Sequence, residues 1–74
     1  MEDIDLGFVF KFRGERNEHT VIFVTDDGYY VLCQDEDGFN GIWSTESIHT
    51  WLKDGTCKFV RRDNIATTIK FKKL

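Results

Sequence analysis

Proline is absent from the 74 residues, and with it any proline-rich tract or linker. Cysteine occurs twice, at Cys33 and Cys57, too few for a disulfide framework. No apolar run approaches the roughly 18 residues that a membrane helix needs. The six glycines stand singly, so no glycine-rich loop is present to cradle a phosphate. There is no internal repeat and no low-complexity segment. The N-terminal stretch Met1-Glu2-Asp3-Ile4-Asp5 is acidic where a targeting peptide is basic. These absences give the expectation of a cytoplasmic protein, one domain over residues 1–74, with no membrane association.

What is present is aromatic and charged. Seven Phe, two Tyr and two Trp make up 15% of the chain, in a composition with 41% hydrophobic and 31% charged residues. That balance is ordinary for a globular domain. A domain this small has a core worth ~3–5 kcal/mol of net stability, so most of the rings are expected inside it. The net charge is −3, but it is split. Residues 1–37 hold three basic and ten acidic side chains; residues 38–74 hold seven basic and three acidic. Such asymmetry points to a partner-binding face.

The local patterns give an element order. Leu6, Phe8, Phe10 and Phe12 alternate with Gly7, Val9, Lys11 and Arg13, which is a strand with its Phe side inward. Thr20 to Thr25 is β-branched and aromatic on both faces, so it reads as a central strand. Asp26-Asp27-Gly28 marks a tight turn, and the strand Tyr29 to Gln34 returns from it. Asp35-Glu36-Asp37-Gly38 is a second turn of the same chemistry. Phe39 to Trp43 is a shorter strand in which Gly41 marks a bulge. Ser44 or Thr45 then caps a helix of about ten residues. Glu46 suits its first turn, Lys53 its last, and Gly55 its left-handed end. Ile48, Trp51 and Leu52 form its apolar stripe. Cys57 to Arg61 and Ala66 to Lys72 complete the order β-β-β-β-α-β-β. The expected fold is α+β: a small curled antiparallel β-sheet, or open barrel, with one helix packed on it. In outline alone this resembles SH3-like and Tudor-like barrels, whose motifs are not in the chain.

Three chemical constellations fail on their residues. Cys33 to Ser44 has the acidic spacing of a calcium loop, but a thiol stands at its first ligand position and a hydroxyl at its twelfth. His19, Cys33, His49 and Cys57 include no pair at zinc-ligand spacing. A Cys–His nucleophile lacks an orienting group and any pocket signature. The expectation is a non-enzymatic protein with no cofactor and no metal.

Two surfaces remain. The acidic meander brings Asp26, Asp27, Tyr29, Tyr30, Asp35, Glu36 and Asp37 together at the two ends of one strand. Tyr29 and Tyr30 point to opposite faces, so one is outward. Aromatic anchors beside steering charges are the composition of a protein-binding surface. The alternative is a single-stranded nucleic-acid site on Lys58, Arg61, Arg62, Lys70 and Lys72, where bases alternate with Phe59 and Phe71. The sequence pI of 5.2 weighs against it. The profile resembles the short accessory proteins of bacteria, their phages and mobile elements. The leading expectation is therefore a small module that binds a larger host protein, such as an enzyme, and inhibits or modulates it. A homodimer through an edge strand, the last strand first, is compatible with either surface.

Overall fold

The computed structural model describes residues 3–64. Five strands and one helix follow in the order β1 (Phe8–Phe12), β2 (Glu18–Val24), β3 (Tyr30–Asp35), β4 (Asn40–Ser44), α1 (Thr45–Asp54) and β5 (Cys57–Arg62). The strands form one antiparallel sheet in the spatial order β4-β3-β2-β1-β5. Among the described residues this sheet is open, not closed into a barrel. β2 lies at its centre, as its apolar composition predicts. The strand expected over Ala66 to Lys72 lies outside the described residues.

The first four strands neighbour one another in chain order because their links are short and turn-forming. Gly28 and Gly38 close the two hairpins with φ of 77° and 91°, a region that glycine enters without steric cost. The returning strand begins at Tyr30, one residue later than the alternation indicates, since Tyr29 belongs to the turn.

Gly41 corrects an expectation. The β3–β4 register runs unbroken from Tyr30↔Ser44 to Gln34↔Asn40, so no bulge occurs there. A Cβ on Gly41 would instead lie 2.7 Å from the Trp43 ring. Glycine makes room for that indole. The register shifts are elsewhere: between Val21 and Phe23 in β2 against β3, and between Val9 and Phe10 where β1 meets β5.

α1 is built as its sequence indicates. The Ser44 hydroxyl accepts the Ser47 amide at 3.1 Å, satisfying one of the unpaired donors at the helix start. Gly55 ends the helix in the left-handed conformation, with φ 86°. Ile48 is buried, and Trp51 and Leu52 pack on the core beside it. The helix thereby covers one face of the sheet, reaching from β4 to β5. Under it lie Phe8, Phe10, Val21, Val31, Cys33 and Cys57. His19 joins the same face, its ring 5.5 Å from Phe10, 5.3 Å from Phe12 and 5.4 Å from Trp43.

One helix covers one face. It is outside that cover that the expectation of buried rings fails, with Phe23 and Tyr30 on the opposite, outer face, Tyr29 and Phe39 at the turns, and Phe59 beside Phe10 at the margin of the helix-covered face. Phe23, Tyr29, Tyr30, Phe39 and Phe59 are all exposed. Phe8 and Phe10 are the fully buried rings among the described residues. The core is closed largely by aliphatic side chains, cysteines and half-buried indoles.

Candidate functional site

The outer face divides into two halves. On the β5–β1 half, Val9 is buried between its cross-strand neighbours Thr20 and Arg61. The Arg61 guanidinium donates to Glu18 and to Asp63, each at 2.8 Å. Those two carboxylates hold its pKa above the ordinary value, with Asp63 the stronger influence. Lys58 stands opposite Lys11 on the same half.

The β2–β3–β4 half is apolar. Phe23 pairs with Leu32, and Leu32 pairs with Ile42. Tyr30 lies two residues from Leu32 on the same side of β3. Phe23 is 57% exposed, Tyr30 50% and Ile42 69%, while Leu32 is half-buried between them. These four form one row across three strands rather than scattered single exposures. Contiguous apolar patches with a polar rim occur at protein and membrane interaction sites and in ligand-binding grooves.

The acidic turns rim this row. They lie at the two ends of β3, about 20 Å apart by the rise of a six-residue strand. Their carboxylates do different work. Asp27 accepts the Tyr29 amide at 2.9 Å and the Thr25 hydroxyl at 2.7 Å, and those two bonds hold its pKa below the usual range. Asp35 accepts the amides of Asp37 and Phe39, both at 2.9 Å. Partial loss of water raises its pKa, but the Phe39 and Asp37 amides, the Asn17 side chain and the charge of His19 outweigh that and hold it low. Both residues are turn-forming carboxylates, each tying the backbone two residues on. Asp37 takes a 3.0 Å bond from Asn17, and Glu36 a 3.4 Å bond from the Glu18 amide. Asp26 is exposed in the turn beside them. The structure thus sets Asp26, Asp27, Tyr29, Asp35, Glu36 and Asp37 at the two ends of β3 and Tyr30 within the row, with Asp27 and Asp35 holding their turns.

A groove of about 800 Å³ opens where β3 starts and α1 begins. Tyr29, Tyr30, Thr45, Glu46, His49 and Lys53 line it. Thr45 ties the junction together, its hydroxyl donating to Gly28 O at 3.0 Å.

The basic candidates are dispersed. Arg61 is paired as above. Arg62 binds the Asp5 carboxylate and donates to Leu6 O at 2.9 Å and Asp3 O at 2.6 Å, so it holds the N-terminal segment. Lys70 and Lys72 lie outside the described residues.

No metal or thiol chemistry is assembled among the described residues. No group of three His, Cys, Asp or Glu side chains is placed to hold a metal ion there. Burial pushes the Cys33 thiol up to about 12. Burial, with the Asp54 carboxylate adding to it, pushes Cys57 up to about 11. Neither is a thiolate at neutral pH. No helix of the described residues is long and apolar enough to cross a membrane. Comparison with protein-family models, with curated protein sequences and with solved structures yields no match.

The residues that sequence reasoning missed are Phe23, Leu32 and Ile42. A signal for Phe23 existed: a strand apolar on both sides in a chain with one helix has more apolar face than that helix can cover.

Proposed function

We propose that the protein is a non-enzymatic binding module that docks a larger protein on the outer face of its sheet and so inhibits or modulates it. The row Phe23–Leu32–Ile42 with Tyr30 carries this reading. The acidic rim sets the chemistry of the partner: an apolar centre surrounded by Lys and Arg. Rim charges govern the rate and orientation of encounter, and the buried anchors govern residence. The image of a phage or mobile-element product acting on a host enzyme rests on size and composition.

The nucleic-acid alternative draws less support, because Arg61 and Arg62 already neutralise carboxylates of the chain itself. Binding of that kind would weaken steeply with salt.

The test compares wild type with a Phe23→Glu/Ile42→Glu variant. Tagged protein is exposed to bacterial lysate with and without nuclease, and a retained protein is purified and titrated. Both substituted side chains are exposed, so the fold and its melting curve are expected to persist. Binding is expected to fall by more than about 100-fold, the loss of about two anchors at 1.4 kcal/mol per tenfold. Unchanged affinity, or retention that vanishes with nuclease, overturns the reading.

A further inference from the structure

Among the described residues β4 is an edge of the sheet, and two hydrogen bonds fix which of its backbone groups face outward. The Asp35 amide donates to Phe39 O at 2.9 Å, and the Thr45 amide donates to Tyr29 O at 2.8 Å. Hydrogen-bonded pairs alternate along an antiparallel ladder. The unbroken register between these two bonds therefore places Gly41 and Trp43 in hydrogen-bonded pairs with β3. Asn40 and Ile42 turn their backbone N–H and C=O away from β3, and Ser44 its N–H. No hydrogen bond from a described residue reaches the backbone of Asn40 or Ile42 on that side.

Natural sheets blunt such edges with lysine, proline, a bulge or a covering element. The opposite edge among the described residues is β5, which carries Lys58, Arg61 and Arg62. β4 reads Asn-Gly-Ile-Trp-Ser, with no charge, no proline and no register shift. At its C-terminal end the edge runs into the groove between Tyr29, Tyr30 and the start of α1. Backbone groups open to pairing, followed by a side-chain groove, are what strand addition requires.

We propose that β4 takes up an extended segment of the partner protein as a sixth strand, apolar at alternate positions and flanked by Lys or Arg. This rests on the protein-binding reading above and specifies its mode. The charge preference follows from the two ends of the edge. Asp35, Glu36 and Asp37 stand at one end, and Glu46 at the other. Lys53 in the groove is seven residues further on, about 10 Å along the helix axis. A second copy of the chain fits less well. Two-fold antiparallel pairing centred on Ile42 sets residue 38 of one copy against residue 46 of the other. Asp37 is then brought beside Glu46, and opposed like charges destabilise a strand pair.

The experiment selects random nine-residue peptides on the immobilised full chain and follows the enriched peptide by NMR. Enrichment of alternating apolar sequences with basic flanks is expected. The Asn40 and Ile42 amides are expected to become slow to exchange on binding, a readout that needs no variant. Asn40→Pro removes one outward N–H at a position where an edge tolerates proline. It is expected to weaken the peptide about tenfold, the upper range for one hydrogen bond. Lys11→Ser, on β1 and away from this edge, is expected to leave peptide binding within about twofold. Loss of the peptide with Phe23→Glu but not with Asn40→Pro overturns the strand mode and leaves the outer-face reading standing. No enrichment, acidic flanks in the enriched peptides, or exchange protection that appears without peptide as the chain dimerises each overturns it as well.

Discussion

At the scale of single residues, burial decides more than identity does. Cys33 and Cys57 are 1% and 2% exposed, and their raised thiol pKa values follow from that. In the native protein both are expected to resist alkylation by iodoacetamide at pH 8, Cys33 more than Cys57, and to react fully in denaturant. Rapid native labelling of Cys33 would contradict its burial. The fold favours the neutral thiols, so their contribution is complete below the unfolded thiol pKa of about 8.5. It is lost as pH rises through the folded values near 11 and 12. Gly41 is a residue whose role is space. Gly41→Ala puts a methyl carbon 2.7 Å from the Trp43 ring, so the indole must shift. Overpacking of this kind costs about 1–3 kcal/mol. A changed tryptophan emission with a lowered melting temperature is the expected signature.

At the scale of elements, the two hairpins and the helix are local constructions, and local constructions were legible. Asp-Asp-Gly and Asp-Glu-Asp-Gly name their turns through residues that bond their own backbone. Ser44, Glu46, Lys53 and Gly55 name the helix and both its ends. Ser44→Ala is expected to cost about 1 kcal/mol. That lowers the melting temperature of a domain this size by roughly 4–8 °C. The turn carboxylates give the molecule its acid sensitivity. Asp27, Asp35 and Asp54 titrate below their ordinary values, the last through the Thr56 hydroxyl and amide. Their contribution is present above the unfolded carboxyl pKa of about 3.9 and is lost as pH falls through the lower folded values. The urea midpoint is therefore expected to be flat above about pH 5 and to fall below about pH 4. Asp35→Asn keeps an acceptor for the Asp37 and Phe39 amides and removes part of that fall.

Sidedness was not legible, and β2 shows why. Alternation starting from buried Val21 carries Phe23 to the same face. The register shift between them turns Phe23 outward instead. Nothing in Thr-Val-Ile-Phe-Val-Thr marks a shift. Gly41 was misread for a related reason: a strand glycine signals either a bulge or a close approach, and the tertiary position of Trp43 decides which.

At the scale of the whole molecule, one ten-residue helix closes one face of a five-stranded sheet among the described residues. The covered side has little stability to spare. Ile48, on the inward stripe of the helix, is fully buried. Ile48→Ala is expected to cost about 2–5 kcal/mol, comparable with the whole net stability of a domain this small. That variant is expected to be unfolded at 25 °C by circular dichroism. Ile48→Val, at about 0.5–1.5 kcal/mol, is expected to stay folded. The uncovered side holds Phe23, Tyr30 and Ile42, and its acidic rim contributes five of the ten carboxylates of residues 1–37. We propose the binding surface on that side because Phe23, Tyr30 and Ile42 are exposed there.

The measurement that tests this placement most directly is the backbone NMR spectrum of the labelled protein, free and saturated with its captured partner. The account predicts that the largest perturbations fall on Phe23, Tyr30, Leu32 and Ile42, with smaller ones on Asp26 and Glu36. Lys11, Lys58 and Arg61 are predicted to stay where they are. Perturbations centred on Lys58 and Arg61, with the row from Phe23 to Ile42 unmoved, would contradict it.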